Sequence, residues 1–337
     1  MLREIENVIQ GLSDIRQTGR VIDTDAGALG DDERGWSGAE VRRIAVRYES
    51  GATGSMILKC APLKERCAMD ALTRAQTAVP AAFSCDLYSD EPRWMAMEDI
   101  GKPQPPSIDD TTWMGKAADA LADIHAKFMG KGSEMLWLPH ADEKYWKWIV
   151  SEISLDHFER KMQQCPAFDR EFGRYLPHLQ RQADAFVADM TVLYREGDCL
   201  TLTHGDIQSI DGAHIYDCGG VPKIIDFGWC HYAPFYVDLA SYFSFEDARL
   251  YHDALVRRGI SLSYADFDER LRAAFRYSGF IYMCPSVMNW REDAPTESER
   301  RLLQMIHSIL YGDFPERRIA YSDPVFVQVL AQHRAFR

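Results

Sequence analysis

The segment Leu202-Thr-His204-Gly205-Asp206-Ile-Gln-Ser-Ile-Asp211-Gly-Ala-His214-Ile-Tyr216-Asp217-Cys-Gly-Gly220-Val-Pro-Lys-Ile-Ile-Asp226-Phe-Gly228 carries aspartates on both sides of a hairpin. Ala213–Tyr216 and Val221–Ile225 are short strand-like runs, and Asp217-Cys-Gly-Gly220 between them supplies turn residues. A hairpin returns the chain to its starting end, so the loop holding Asp206 and the loop holding Asp226 are expected together there.

Upstream of this segment the pattern changes twice. Residues 1–20 read as a helix with Leu2, Ile5, Val8, Ile9 and Leu12 on one face. Residues 21–60 read as strands: Val41–Tyr48 alternates, Glu49–Gly54 turns, and Ser55–Lys59 returns. A helix over 62–77 is expected to stop at Val79-Pro80, because proline disfavours a helical residue before it. Strands over 81–87 and 94–98 follow, joined by a turn around 89–92. Gly101-Lys-Pro-Gln-Pro-Pro106 is a loop, and beyond it helices dominate, at 109–129, 142–163, 168–196, 235–258, 264–282 and 296–310. The hairpin is expected inside this helical half.

Composition limits the partners. At 337 residues the chain suits two lobes, and 46% hydrophobic residues suffice for a sizeable core. A formal charge of −13 argues against nucleic acid or an anionic membrane and is compatible with a cationic substrate. The eight cysteines form no C-x-x-C pair and no zinc spacing, the N-terminus lacks a signal-like apolar run, and no stretch is long enough to span a membrane. These features lead to the expectation of a cytoplasmic protein with free thiols, monomeric or homodimeric.

Phosphoryl transfer needs a carboxylate near the attacking hydroxyl and metal ligands near the phosphates. A catalytic-loop Asp, a metal ligand, a hairpin and Asp-Phe-Gly form the order that kinases use. With His204-Gly-Asp206 followed by Ile-Asp226-Phe-Gly228, the chain resembles the aminoglycoside phosphotransferase family, which includes choline and macrolide kinases. The resemblance implies an α+β, bilobal protein-kinase-like fold, with a small antiparallel-β nucleotide-binding lobe over 1–100 and a larger, mainly helical lobe over 101–337. It implies Asp206 as catalytic base, Asp226 as a Mg²⁺ ligand, and ATP (or GTP) as phosphoryl donor to a small-molecule hydroxyl.

Further matches extend over most of the chain. Gly35-Trp36-Ser37-Gly38 resembles the phosphate-covering loop, where Ser37 and Gly38 would approach the nucleotide. Lys59 resembles the strand lysine that contacts the phosphates, with Glu65 as its helix partner and Asp70 in reserve. Met97-Glu98-Asp99-Ile100 resembles the hinge, where backbone groups of Glu98 and Ile100 would pair with adenine. Asp238 matches a residue that braces the catalytic loop, and His125 reads as a packed helical histidine. The second metal ligand departs from the pattern: the usual Asn is absent, and Asp211 and His214 are both open.

The substrate pocket is expected on the helices after 140, which carry acids (Asp142, Glu143, Glu152, Asp156) and aromatics (Tyr145, Trp146, Trp148, Phe158). Acids suit an amine-bearing or sugar-bearing compound such as an antibiotic; aromatics suit a macrocycle, or simply the core. Two other readings compete. One is a nucleotide-binding pseudokinase scaffold without turnover. The other is a metal hydrolase built on His204, Asp206, Asp226 and His231, which leaves Lys59 and the whole first lobe unexplained.

Overall fold

The computed structural model describes residues 2–27, 39–101, 110–207, 214–240, 242–292 and 295–312. The first elements are α1 (Leu2–Arg16), β1 (Val21–Gly27), β2 (Val41–Tyr48), β3 (Thr53–Ala61), α2 (Leu63–Arg74), β4 (Ala82–Ser84) and β5 (Arg93–Glu98). Then come α3 (Thr111–Phe128), α4 (Glu143–Trp148), α5 (Asp156–Gln164), α6 (Pro166–Phe172), α7 (Leu176–Glu196), β6 (Leu200–Thr203), β7 (Ile215–Asp217), β8 (Pro222–Ile224) and β9 (His231–Pro234). The last are α8 (Tyr236–Leu239), α9 (Phe245–Arg257), α10 (Tyr264–Ala274), α11 (Arg276–Ile281), α12 (Met283–Met288) and α13 (Pro295–Tyr311). The chain forms two compact units, residues 1–106 with 213–230, and residues 107–212 with 231–337.

The first unit is an antiparallel sheet ordered β1-β2-β3-β5-β4. Alternation along β2 turns Ile44, Val46 and Tyr48 inward and puts Arg43 and Arg47 on the opposite face. Those residues and Met56 and Leu58 of β3 pack with Val8, Ile9 and Leu12 of α1, which is why the amphipathic N-terminal stretch is a helix. Arg66 of α2 is fully buried, yet its guanidinium donates to the carbonyls of Ala61, Glu91 and Ser89.

The β7–β8 hairpin pairs Ile215 with Ile224, close to the sequence expectation. It clusters with the first unit rather than with the helical half. The Ile224 amide donates to Ala78 O at 2.8 Å, and Lys223 Nζ to Val79 O at 2.9 Å, so two carbonyls of the Ala78–Pro80 connection are satisfied by the hairpin.

The second unit is mainly helical, and its helices are more broken than periodicity suggests. The expected helix over 142–163 is α4, a π-helical stretch over Ile149–Leu155, and α5. Ile149, Val150 and Ile153 crowd the backbone, and Ser151 Oγ donates back to Lys147 O at 2.7 Å, a local bond that competes with regular winding. The stretch 168–196 breaks at Gly173, ahead of Pro177 in the first turn of α7. The stretch 235–258 divides into α8 and α9, and 264–282 into α10 and α11. Strands β6 and β9, absent from the sequence reading, pair antiparallel. Every residue of both is buried, so neither shows the alternation that marks a half-exposed strand.

All eight cysteines are free thiols. Among the described residues no helix is long and apolar enough to cross a membrane.

Candidate active site

Lys59 lies near the end of β3, opposite Val41 on one side and Met95 on the other. The strand ends at Ala61, Pro62 caps the next element, and α2 starts at Leu63. Glu65 therefore falls in the first turn of α2, directly after a tight reversal. A spacing of six residues is enough for Lys59 Nζ to reach Glu65 Oε1 at 2.6 Å. Asp70 is instead paired with Arg74 at 3.1 Å.

The same Nζ reaches Asp226 Oδ1 at 2.8 Å. Asp226 follows β8 with φ 64° and ψ 61°, a left-handed conformation uncommon outside glycine but open to aspartate. Gly228 leaves room for it: a Cβ there would stand 3.3 Å from Asp226 Oδ1 and 3.6 Å from Glu65 Oε2. Burial works against the Lys59 ammonium, but the Glu65 and Asp226 carboxylates more than offset it and raise its pKa above the ordinary lysine value. The lysine is thus a fixed cation held between two carboxylates.

Around this centre, the Glu98 amide donates to Ala81 O at 2.8 Å, while its carboxylate accepts from the Ala81 amide and from Lys223 Nζ. Asp99 is tied to Arg43 at 2.8 Å, and its Oδ1 accepts the Gly101 amide, which shapes the turn containing the half-buried Ile100. His214 is half-buried, and its carbonyl accepts the Ile225 amide, so it stands one step from Asp226 in the hairpin register. Ser37, Gly38 and Asp211 lie outside the described residues.

Asp206 belongs to the second unit and sits on the loop leaving β6. Gly205 before it has φ +79°, a backbone conformation that costs a side-chain-bearing residue strain. Asp238 of α8 holds this loop: its carboxylate accepts the His204 and Gly205 amides, both at 2.7 Å. His125 of α3 bonds the same carboxylate at 3.0 Å through Nε2 and Tyr251 Oη at 2.6 Å through Nδ1. Burial disfavours the charge on Asp238, but the bond to His125, the nearby imidazoles and the Gly205 amide outweigh it and hold the carboxyl below its usual range.

Sequence reasoning missed two residues. Tyr277 Oη donates to Gly205 O at 2.7 Å, and Tyr282 Oη donates to Asp206 Oδ1 at 2.7 Å. Both come from the segment around α11, more than 70 positions from the loop. No local pattern at that range could have pointed to them.

His231 is fully buried in β9, with its ring packed against Tyr145, Trp146 and Tyr277. Among the described residues no group of three or more His, Cys, Asp or Glu is placed to hold a metal by itself. The Asp226 carboxylate, 42% exposed, is nevertheless a hard oxygen donor of the kind Mg²⁺ takes. Few protein ligands are what that ion needs when phosphate oxygens and water complete its shell.

The AMP-bound structure of spectinomycin phosphotransferase APH(9)-Ia is similar to this chain: 14% identity, 81% of this chain and 92% of that chain covered, and a TM-score of 0.54. A choline/ethanolamine kinase family protein from Mesorhizobium loti aligns at 14% identity over 92% of each chain with a TM-score of 0.49. Macrolide 2'-phosphotransferase MphH from Brachybacterium faecium aligns at 13% identity over 93% of this chain and 100% of that one, with a TM-score of 0.45. A search of curated proteins finds no match. The α+β architecture is the protein-kinase-like one, and the model of the phosphotransferase enzyme family matches residues 33–275, well over half of the chain; the chain belongs to that family and is a small-molecule kinase.

Proposed function

We propose that this chain transfers the γ-phosphoryl group of ATP (or GTP) to a hydroxyl of a small molecule, with Asp206 as the base. The observation that carries the reading is Lys59 Nζ held between Glu65 and Asp226 at 2.6 and 2.8 Å. A fixed ammonium and an exposed carboxylate side by side suit a phosphate chain and its cation. Glu98 and Ile100 would offer backbone groups to adenine, and Ser37 and Gly38 would cover the phosphates. Mg²⁺ would be held by Asp226 with Asp211 or His214, and would supply charge neutralisation on the phosphate oxygens. Asp206 orients the acceptor hydroxyl and takes its proton; catalysis is then positioning and electrostatics.

The acceptor is proposed to be an antibiotic or related metabolite carrying a sugar or an amine, as spectinomycin phosphotransferase is named for one. Burial and pairing bear on which groups of the helices after 140 could meet it. Trp146 and Phe158 are wholly buried in the core. Asp142 caps α4, and Glu143 is paired with Lys147 and Arg195. Glu152 and Asp156 remain exposed at the π-helical stretch, and Tyr145 and Trp148 are half-buried. Two exposed acids favour a cationic acceptor.

The test is ATP turnover across a panel of aminoglycosides, spectinomycin, macrolides, choline and simple sugars. Turnover with an amine-bearing member is expected. Tight Mg-ATP binding with no turnover on any member or on water would make the chain a nucleotide-binding scaffold.

A further inference from the structure

We infer that Tyr251 of α9 is a remote positioning residue for the catalytic loop: its phenol fixes the ring of His125, and through that ring the Asp238 carboxylate that holds the His204 and Gly205 amides. This rests on the reading of Asp206, the next residue of that loop, as the base. The line of contacts is continuous. Tyr251 Oη lies 2.6 Å from His125 Nδ1, His125 Nε2 lies 3.0 Å from Asp238 Oδ2, and Asp238 Oδ1 accepts the Gly205 amide at 2.7 Å. All three side chains are fully buried, and they come from three helices, α9, α3 and α8.

The order of protons along this line follows from its ends. The Asp238 carboxyl is held below its usual range, so it stays ionised and can only accept. Nε2 of His125 therefore donates to it, and an imidazole that donates from one nitrogen accepts at the other. The Tyr251 phenol keeps its proton, because burial and the Asp238 charge push its pKa well above the ordinary value, and it donates to Nδ1. Phe235 and Tyr251 flank the imidazole with ring centroids 6.1 and 5.7 Å away, so packing sets its plane and the two hydrogen bonds set its proton. Without the phenol donor, Nδ1 becomes a buried acceptor in need of a proton. The ring then either takes a second proton there, which draws the Asp238 charge toward itself, or turns and pulls Nε2 off Oδ2. Each change loosens the grip on the amides of the two residues before Asp206.

Tyr251→Phe keeps the aromatic ring and removes only the donor. Measured below its melting transition, with water or an active panel compound as acceptor, its kcat should fall about three- to tenfold, the loss of one neutral hydrogen bond, with KM for ATP unchanged. Wild-type kcat in this variant, while Asp206→Asn has lost turnover, overturns the inference and leaves the base standing. Near-native turnover by Asp206→Asn refutes the base instead, and NMR of the protein labelled with nitrogen isotope then decides the inference whatever the rates. In the wild type, His125 should carry its proton on Nε2 and accept at Nδ1. In Tyr251→Phe the Nδ1 resonance should move, and the Gly205 amide resonance should move with it. A wild-type ring protonated at Nδ1 overturns the inference. So does a Gly205 amide left unmoved by the substitution, because the phenol then acts no further than His125.

Discussion

Asp226 is held by charge, whereas the loop of Asp206 is held through its main chain. In the first unit a buried ammonium lies between two carboxylates, and the arrangement uses residues from β3, the first turn of α2 and the end of β8. In the second unit Asp238, Tyr277 and Tyr282 bond the loop, and the bonds of Asp238 and Tyr277 to it end on main-chain atoms. A buried ion pair is poor at adding net stability, because desolvation offsets the attraction, but it holds a charge at a fixed place. Main-chain bonds to a buried carboxylate do the opposite: they add no charge for a ligand, and they set loop geometry. On the proposed function, the first arrangement would serve binding and the second would serve positioning.

Four measurements press on that separation. Asp206→Asn removes the acceptor of the hydroxyl proton while leaving both sets of braces; turnover should drop about a hundred- to ten-thousandfold with Mg-ATP affinity nearly intact. Near-native turnover at saturating substrate would falsify the base assignment. Asp238→Ala strips two buried amides of their acceptor and should lower unfolding stability by about 3 kcal/mol or more in urea titrations. A loss below 1 kcal/mol would mean that water or another side chain substitutes, and the loop is not braced as described.

Lys59→Met and Asp226→Ala attack the charged centre. Each should weaken Mg-ATP about a hundredfold by calorimetry, nearly 3 kcal/mol for a charged contact, with little change in acceptor binding. Unchanged affinity in both would remove the nucleotide site from the first unit. The smallest effect serves as a control away from both aspartates. Burial holds the His307 imidazole of α13 down at about 4, from an ordinary 6.5. Between those values the unfolded chain binds more protons than the folded one, so stability rises with pH and is lost on acidification. Going from pH 7 to pH 5 should cost about 2 kcal/mol, and His307→Gln should remove that loss while leaving turnover at pH 7 alone.

Much of this was legible in sequence because it is local. Alternation in Val41–Tyr48, the amphipathic face of α1, the Asp217–Gly220 turn and the triplets around Asp206 and Asp226 each depend on neighbours within a few positions. Lys59 and Glu65 also belong here, since a strand, a proline and a helix turn fix their separation. The choice between Glu65 and Asp70 did not, because it depends on which helix turn faces the strand.

The sequence by itself determined the alternating strands, the amphipathic first helix and the hairpin turn, because period and turn chemistry are properties of adjacent residues, and its triplets carried the resemblance to a kinase family. Only the tertiary structure decided that the hairpin joins the first unit, that Trp146 and Phe158 serve the core, that the long helices break, and that Tyr277 and Tyr282 reach Gly205 and Asp206. Those outcomes depend on closing loops of tens of residues and on which buried polar group each neighbour must satisfy, and neither leaves a periodic mark on the chain.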